Sequence, residues 1–196
     1  TGGAGFIGSN LTVELVKSGY NVTILDNLSN QVHGDYKESK SYNKVKKITN
    51  FIKGDIRNRD DLSKAIKGQD AVIHLAAETG TGQSMYQVYQ YSSVNVLGTS
   101  LLLEALMHKK NNIKKIILSS SRAIYGEGKY WSEKNKCVVY PPLRKEKDMI
   151  KGDYNLFTKE EKLKPLKTDE SSKIHPASIY GITKYQQEQM SMLIGG

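Results

Sequence analysis

Thiols are almost missing from this chain. One cysteine in 196 residues, Cys137, cannot close an internal disulfide and suits a reducing compartment, so a cytoplasmic location is expected. No apolar run approaches the ~20 residues that span a bilayer, and no secretory pattern opens the chain. Internal repeats and low-complexity tracts are also absent. What remains is a composition of 38% hydrophobic and 25% charged residues, that of one globular domain or a part of a larger one. Charge is not scarce. The net value of +9 favours anionic partners: a nucleic acid, a phosphate-bearing metabolite or an acidic surface. Much of it lies in Lys37–Lys53 and Lys129–Lys173, where solvated loops and helix faces account for it equally well.

Strands and helices alternate along the chain. After "TGGAGFIG", the residues Ile7, Leu11, Leu15 and Val16 share one helical face, with Gly19 as a stop signal. "YNVTILD" is a short β-branched strand ending at Asp26, and "ITNFIKGDI" is a second strand. "RDDLSKAIKG" reads as a helix with acidic residues in its first turn and glycine at its end. "DAVIHLAA" and "IKKIILSSS" are buried strands on either side of one long helix, "YSSVNVLGTSLLLEALMHK". This alternation predicts a doubly wound α/β fold, a parallel sheet with helices on both faces. Residues 127–176 break the rhythm with a polar, basic stretch holding Trp131, "VVYPP" and two short charged pieces. It is too long for an ordinary connection, so either a solvated excursion or a substrate-contacting subdomain is expected. A glycine turn like the opening one normally follows a buried strand, and "QEQMSMLIGG" stops just after a helix-like run. An N-terminal strand and a C-terminal portion are therefore expected to be missing.

Gly2, Gly5 and Gly8 form a Gly-x-x-Gly-x-x-Gly turn into a helix, where a pyrophosphate can approach the N–H groups at the positive end of the helix dipole. Three glycines alone are a weak signal, since a tight turn needs them anyway. Asp26, at the end of the following strand, strengthens it: a carboxylate there accepts hydrogen bonds from an adenosine ribose and repels a 2′-phosphate. The pair points to NAD rather than NADP. "GDI" at 54–56 and "HLAA" at 74–77 follow the next two strands, where Asp55 can meet the adenine and small Ala76 and Ala77 let a cofactor lie close. His74 suits a satisfied core position, with nothing near it at metal-ligand spacing. "SIYGITK" sets Tyr180 four residues ahead of Lys184, one turn apart on a helix. In a chain with 12 tyrosines that spacing alone does not distinguish an acid–base pair from a surface helix.

Taken in order, "TGGAGFIG", "LDNLSN", "GDI", "HLAA", "NVLGT", "SSSRAIYG" and "SIYGITK" resemble the NAD-dependent epimerase/dehydratase branch of the extended short-chain dehydrogenases/reductases, over nearly the whole chain. Within it the chain is similar to the UDP-glucose 4-epimerases and, through "AAETGTGQSMY", "SSSRAIYGEG" and "KTDE", to the dTDP-L-rhamnose 4-epimerases. The resemblance implies a Rossmann-type domain that binds NAD and acts on a dTDP- or UDP-linked sugar. It places Phe6 and Ile7 on the diphosphate, and Asp26, Asn27, Ser29 and Asn30 around the adenosine. Asp55 and Ile56 fall by the adenine, with Leu75, Ala76, Ala77 and Asn95 in the pocket wall. Thr79 stands where UDP-glucose 4-epimerases hold a lysine. Ser121, Tyr180 and Lys184 match the catalytic residues, with Tyr180 and Lys184 also beside the cofactor. Family dehydratases carry Asp-Glu directly after the residue matching Ser121, whereas this chain has Arg122 and Ala123, which favours 4-epimerisation. A dehydratase, reductase or dehydrogenase remains the alternative. A non-catalytic NAD binder or a nucleic-acid binder, with Tyr36, Tyr42, Tyr130 and Trp131 among lysines, is a further one. Relatives can carry a cysteine-rich knuckle in the insertion; with Cys137 alone, no metal is expected. The resemblance also implies a homodimer.

Overall fold

The glycine turn at the start of the chain feeds a helix, and each strand of the parallel pairs is reached through helical segments. The computed structural model describes residues 1–107, 112–158 and 161–195. In chain order the Rossmann part comprises α1 (Phe6–Lys17), β1 (Thr23–Asp26), α2 (Asn30–His33), α3 (Lys40–Val45) and β2 (Asn50–Lys53). Then come α4 (Arg59–Ile66), β3 (Ala71–His74), α5 (Thr81–Ser84), α6 (Val88–Tyr91), a π-helical segment (Ser92–Leu97), α7 (Gly98–Met107), β4 (Lys115–Leu118) and a 3₁₀ turn (Arg122–Tyr125). The long helix α9 (Ile179–Gly195) follows the insertion. α4 begins where its sequence says it should. Asn58 Oδ1 accepts from the N–H groups of Asp60 (2.9 Å) and Asp61 (3.2 Å), and both carboxylates lie in the first turn.

The strands form two parallel pairs rather than one continuous ladder. β1 pairs with β2 from Thr23↔Asn50 to Asp26↔Lys53, and β3 pairs with β4 from Ala71↔Lys115 to His74↔Leu118. Thr1 and Gly2 bridge the two pairs. The Thr1 nitrogen donates to Ile73 O (2.8 Å), Thr1 O accepts from Leu75 N (3.1 Å), and Gly2 N donates to Leu25 O (3.0 Å). The spatial order is β2, β1, Thr1–Gly2, β3, β4. α1 packs on α3, while α4, α7, the π segment and α9 pack on one another, so helices cover both faces. This is a Rossmann-type doubly wound α/β fold. The main core lies under the second layer, where Leu25, Ile56, Leu62, Val72, Val94, Leu101 and Leu102 are buried together.

Two helical expectations need correction. The fully buried residues of α1 are Gly8, Ser9 and Thr12; Leu11, Leu15 and Val16 are half-buried, and Ile7 is exposed. The first turn lies so close over the glycine loop that a Cβ on Gly8 would sit 2.7 Å from the Gly3 Cα, so only small side chains fit there. The predicted long helix is three segments, with six π-helical residues between α6 and α7; its His108–Lys109 end lies outside the described residues. The insertion makes an antiparallel sheet of β5 (Tyr130–Ser132), β6 (Cys137–Val139) and β7 (Lys164–Pro165), with α8 (Glu146–Ile150) beyond it. Tyr130, Leu156 and Leu163 give it a small core of its own, joined by Val139. The second charged piece of the insertion falls partly on residues 159–160, outside the described residues.

Candidate active site

A groove of about 630 Å³, open to solvent, runs across the carboxyl ends of the strands. It brings together Gly2, Gly5, Asp26, Asn27, Ser29, Asp55, Ile56, Leu75, Ala76 and Ala77 of the expected residues. Gly2 has φ +68°, and a Cβ there would sit 2.6 Å from Ala76 N, so the turn tolerates no side chain. Among the described residues, the N–H groups of Phe6, Ile7 and Gly8 have no hydrogen-bond partner; they are the orphan donors of the α1 N-terminus. The Phe6 and Ile7 side chains themselves point to solvent. The Asp26 carboxylate is buried and fixed, its oxygens accepting from Ala4 N (3.0 Å) and Leu28 N (2.9 Å). Asn30 is exposed at the start of α2, outside the groove lining. Asn95 is fully buried behind the wall instead of lining it. Its amide accepts from Glu78 N (2.8 Å) and donates to Glu78 O (3.1 Å) and to Thr183 Oγ1 (3.0 Å).

The second half of the site is built by α9. Lys184 is buried and makes no hydrogen bond or ion pair among the described residues; burial lowers its pKa to about 8. Tyr180 lies one turn earlier and half-buried, its ring edge-on to Tyr91 with centroids 6.3 Å apart. Ser121 Oγ accepts from Ala123 N (3.1 Å) and so caps the 3₁₀ turn after β4. α9 packs on that turn through Gly181, where a Cβ would lie 2.6 Å from Ala123 O. The glycine between Tyr180 and Ile182 is thus what lets the Ser121 turn and the Tyr180 turn meet. His74 sits beneath them. It links to Thr1 Oγ1 (2.6 Å) and Thr99 Oγ1 (2.9 Å), and burial above all, with the Thr1 amino group and Lys184 nearby, pushes it down to about 3. A neutral core histidine is the result. Among the described residues, no three of His, Cys, Asp and Glu gather as a metal site.

The fold thus holds a glycine turn beneath free N–H groups and a fixed strand-end carboxylate in one groove, with Ser121, Tyr180 and Lys184 around the α9 junction. The model of the "NAD dependent epimerase/dehydratase family" matches residues 1–146. The chain belongs to that family. As a member of it, the chain is similar to dTDP-L-rhamnose 4-epimerase of Burkholderia thailandensis, 33% identical over 97% of this chain and 51% of that protein. It is also 38% identical, over 70% of its length and 39% of the relative's, to the bifunctional UDP-glucose 4-epimerase and UDP-xylose 4-epimerase 1 of Pisum sativum. In structure it resembles UDP-glucose 4-epimerase from Brucella ovis in complex with NAD, with TM-score 0.68 and 28% identity over 97% of this chain and 45% of that one. The chain thus spans about half the length of such relatives.

Several residues in and around this groove carried no expectation from the sequence. Arg57 grips Asp55 through Nε (2.9 Å) and Nη2 (2.7 Å), and Asn27 Nδ2 adds a third contact (3.2 Å). The Arg57 hydrogen bond is the main reason the Asp55 carboxyl falls to about 2. His33, its side chain buried, lines the groove with Nε2 3.8 Å from Asp26 Oδ1 and Nδ1 3.0 Å from Ser39 Oγ. Glu78 also lines it and accepts from Gln90 Nε2 (2.9 Å). The "RN" after "GDI" was the available signal for Arg57; His33 carried none. Three of the four aromatic residues considered for nucleic acid are engaged internally: Lys53 lies over the Tyr36 ring and Lys46 over that of Tyr42, while Tyr130 is in the small core.

Proposed function

We propose that this chain is the cofactor-binding part of an NAD-dependent nucleotide-sugar 4-epimerase, in which Tyr180, Lys184 and Ser121 act on the sugar. The observation that carries the reading is the junction at Gly181, where α9 packs directly on the 3₁₀ turn that Ser121 caps. In the groove, the free N–H groups of Phe6, Ile7 and Gly8 suit a diphosphate, and Gly2 and Gly5 admit it. Asp26, with Asn27, Ser29 and Asn30 around it, suits the adenosine ribose; Asp55 and Ile56 suit the adenine; Leu75, Ala76 and Ala77 form the wall that Asn95 holds from behind. Bound NAD would supply a hydride acceptor that later returns the hydride to the sugar.

The chain's own residues move the proton. A free phenol titrates near ~10, too high for a base at neutral pH. Lys184, one helical turn away on the same face of α9, sets a buried amine beside that phenol. Tyr180 then takes the proton of the sugar 4-hydroxyl, with Ser121 hydrogen-bonded to that oxygen and afterwards to the 4-keto oxygen. Once the keto sugar has presented its other face, the phenol gives the proton back. Dehydration needs a further acid and base. Here Ala123 is buried and cannot transfer a proton, and Arg122 donates to Gly126 O (3.2 Å).

The substrate proposed is a dTDP- or UDP-linked sugar. The partner is a second copy of the chain, since Tyr89, Leu97, Met192 and Leu193 leave apolar surface exposed around α6–α7 and α9. A cytoplasmic site of action rests on Cys137 being the one cysteine, free and exposed; no helix among the described residues is long and apolar enough to cross a membrane. The full-length protein, given a panel of nucleotide sugars deuterated at C4, should yield a 4-epimer that keeps its label with no net NADH. Tyr180→Phe should slow this at least ~100-fold, having lost its acid–base group. Solvent deuterium entering the product, or undiminished turnover by Tyr180→Phe, would sink the mechanism.

A further inference from the structure

Ser84 ends α5 and is fully buried. Its Oγ donates to Thr81 O (2.6 Å) and accepts the backbone N–H of Tyr180 (3.0 Å), 96 residues away in sequence. That N–H lies in the first turn of α9, where no intrahelical acceptor exists for it. Ser178 Oγ satisfies the next orphan, Gly181 N (3.0 Å), so Ser84 completes from outside a cap that α9 only half supplies. The same loop holds the tyrosine a second way. Tyr91 packs edge-on against the Tyr180 ring while its hydroxyl donates to Thr79 O (2.6 Å). Residues 78–84 leave the groove wall at Glu78, which Asn95 fixes, and arrive at the Tyr180 backbone, while Tyr91 links Thr79 to its ring.

We propose that Ser84 is a positioning residue for Tyr180: its hydroxyl fixes the first turn of α9, so that the phenol stays on the Lys184 face and in register with the groove wall. Without that bond the first turn frays, and the phenol loses its fixed place on the Lys184 face of α9. The inference rests on reading Tyr180 as the acid–base group, and two of its three readouts need no turnover.

In the full-length protein, Ser84→Ala should raise amide hydrogen exchange at Tyr180 about ten-fold or more. The Tyr180 ring signal in carbon-13 tyrosine NMR spectra, assigned as the one missing from the matching Tyr180→Phe protein, should shift and broaden. The epimerisation kcat should fall about 10- to 100-fold, as a displacement of about 1 Å costs, with NAD affinity within about two-fold of wild type. Ser84→Cys is somewhat larger, with a weaker acceptor, and should move all three in the same direction by less, which keeps the test open if the alanine variant does not fold. Unchanged Tyr180 exchange and an unchanged Tyr180 ring signal in both variants would overturn the proposal. Lower stability with the ring signal unmoved would also overturn it, leaving Ser84 a packing residue. Should the wild-type protein turn over no nucleotide sugar, the epimerase reading fails, while exchange and ring signal still decide the role of Ser84.

Discussion

Asp26 shows what one side chain contributes when its backbone setting is fixed. Both carboxylate oxygens are held by main-chain N–H groups, so the charge cannot swing aside for a larger ligand. A 2′-phosphate on the ribose would be brought against a stationary negative charge in a buried position. Asp26→Ala in the full-length protein should therefore weaken NAD binding more than NADP binding and narrow the ratio between them, as titrations with each cofactor would report. A wild-type preference for NADP would contradict this reading of the strand end. Asp26 was legible because its place depends on local pattern, the end of a β-branched run after a glycine turn. Arg57 was not, because its grip on Asp55 depends on how the chain turns after β2, and the two residue types in sequence do not fix that turn.

At the scale of elements, α9 carries the main energetic oddity. It buries Lys184 without a hydrogen bond or ion pair among the described residues, and burial lowers the ammonium to about 8 from 10.5. Above about 10.5 the lysine is neutral whether folded or unfolded, and its burial carries no charge penalty. Between the two values the unfolded chain binds the extra proton, so stability rises with pH there. Below about 8 the full cost, about 3 kcal/mol, is present. Lys184→Met should be more stable than wild type at pH 7 by that order, with the difference shrinking toward pH 10, as urea unfolding of the two cofactor-free proteins would measure. A difference independent of pH would mean that the lysine is not buried as a charge. The periodic helices and strands around it were readable from apolar spacing. The π segment was not: Ser92–Leu97 offers no proline or glycine break. Its irregular turn goes with Asn95 facing the main chain of Glu78, a tertiary contact.

For the whole molecule, α6–α7 and α9 expose large apolar side chains on neighbouring helices. Met192 and Leu193 are 72% and 85% exposed, and Tyr89 is 83% exposed on the neighbouring helix. Burying such side chains is worth roughly 25 cal/mol per Å² of apolar area, which a second copy of the same face can supply. The full-length protein should sediment as a dimer at micromolar concentration, and Leu193→Glu should shift it toward monomer. Monomeric wild-type protein at that concentration would remove the dimer from the proposal. The insertion belongs to this scale as well. Its sequence left a solvated excursion and a small subdomain both open, and the chain closes a small antiparallel sheet over Tyr130, Leu156 and Leu163, residues spread across more than thirty positions.

What the sequence determined by itself were the features set by neighbours along the chain. The glycine turn, the strand-end acid, the Asn58 cap of α4 and the Tyr180–Lys184 spacing all follow from φ/ψ preference, capping chemistry and helical period, which act over a few residues. Only the tertiary structure decided which of these meet. Gly181 gained its meaning from Ala123, Ser84 from Tyr180, Asn95 from Glu78 and Arg57 from its fork on Asp55. Such pairings depend on how helices pack on a sheet, and a hydroxyl or an amide in sequence carries no mark of the partner that packing will bring within 3 Å.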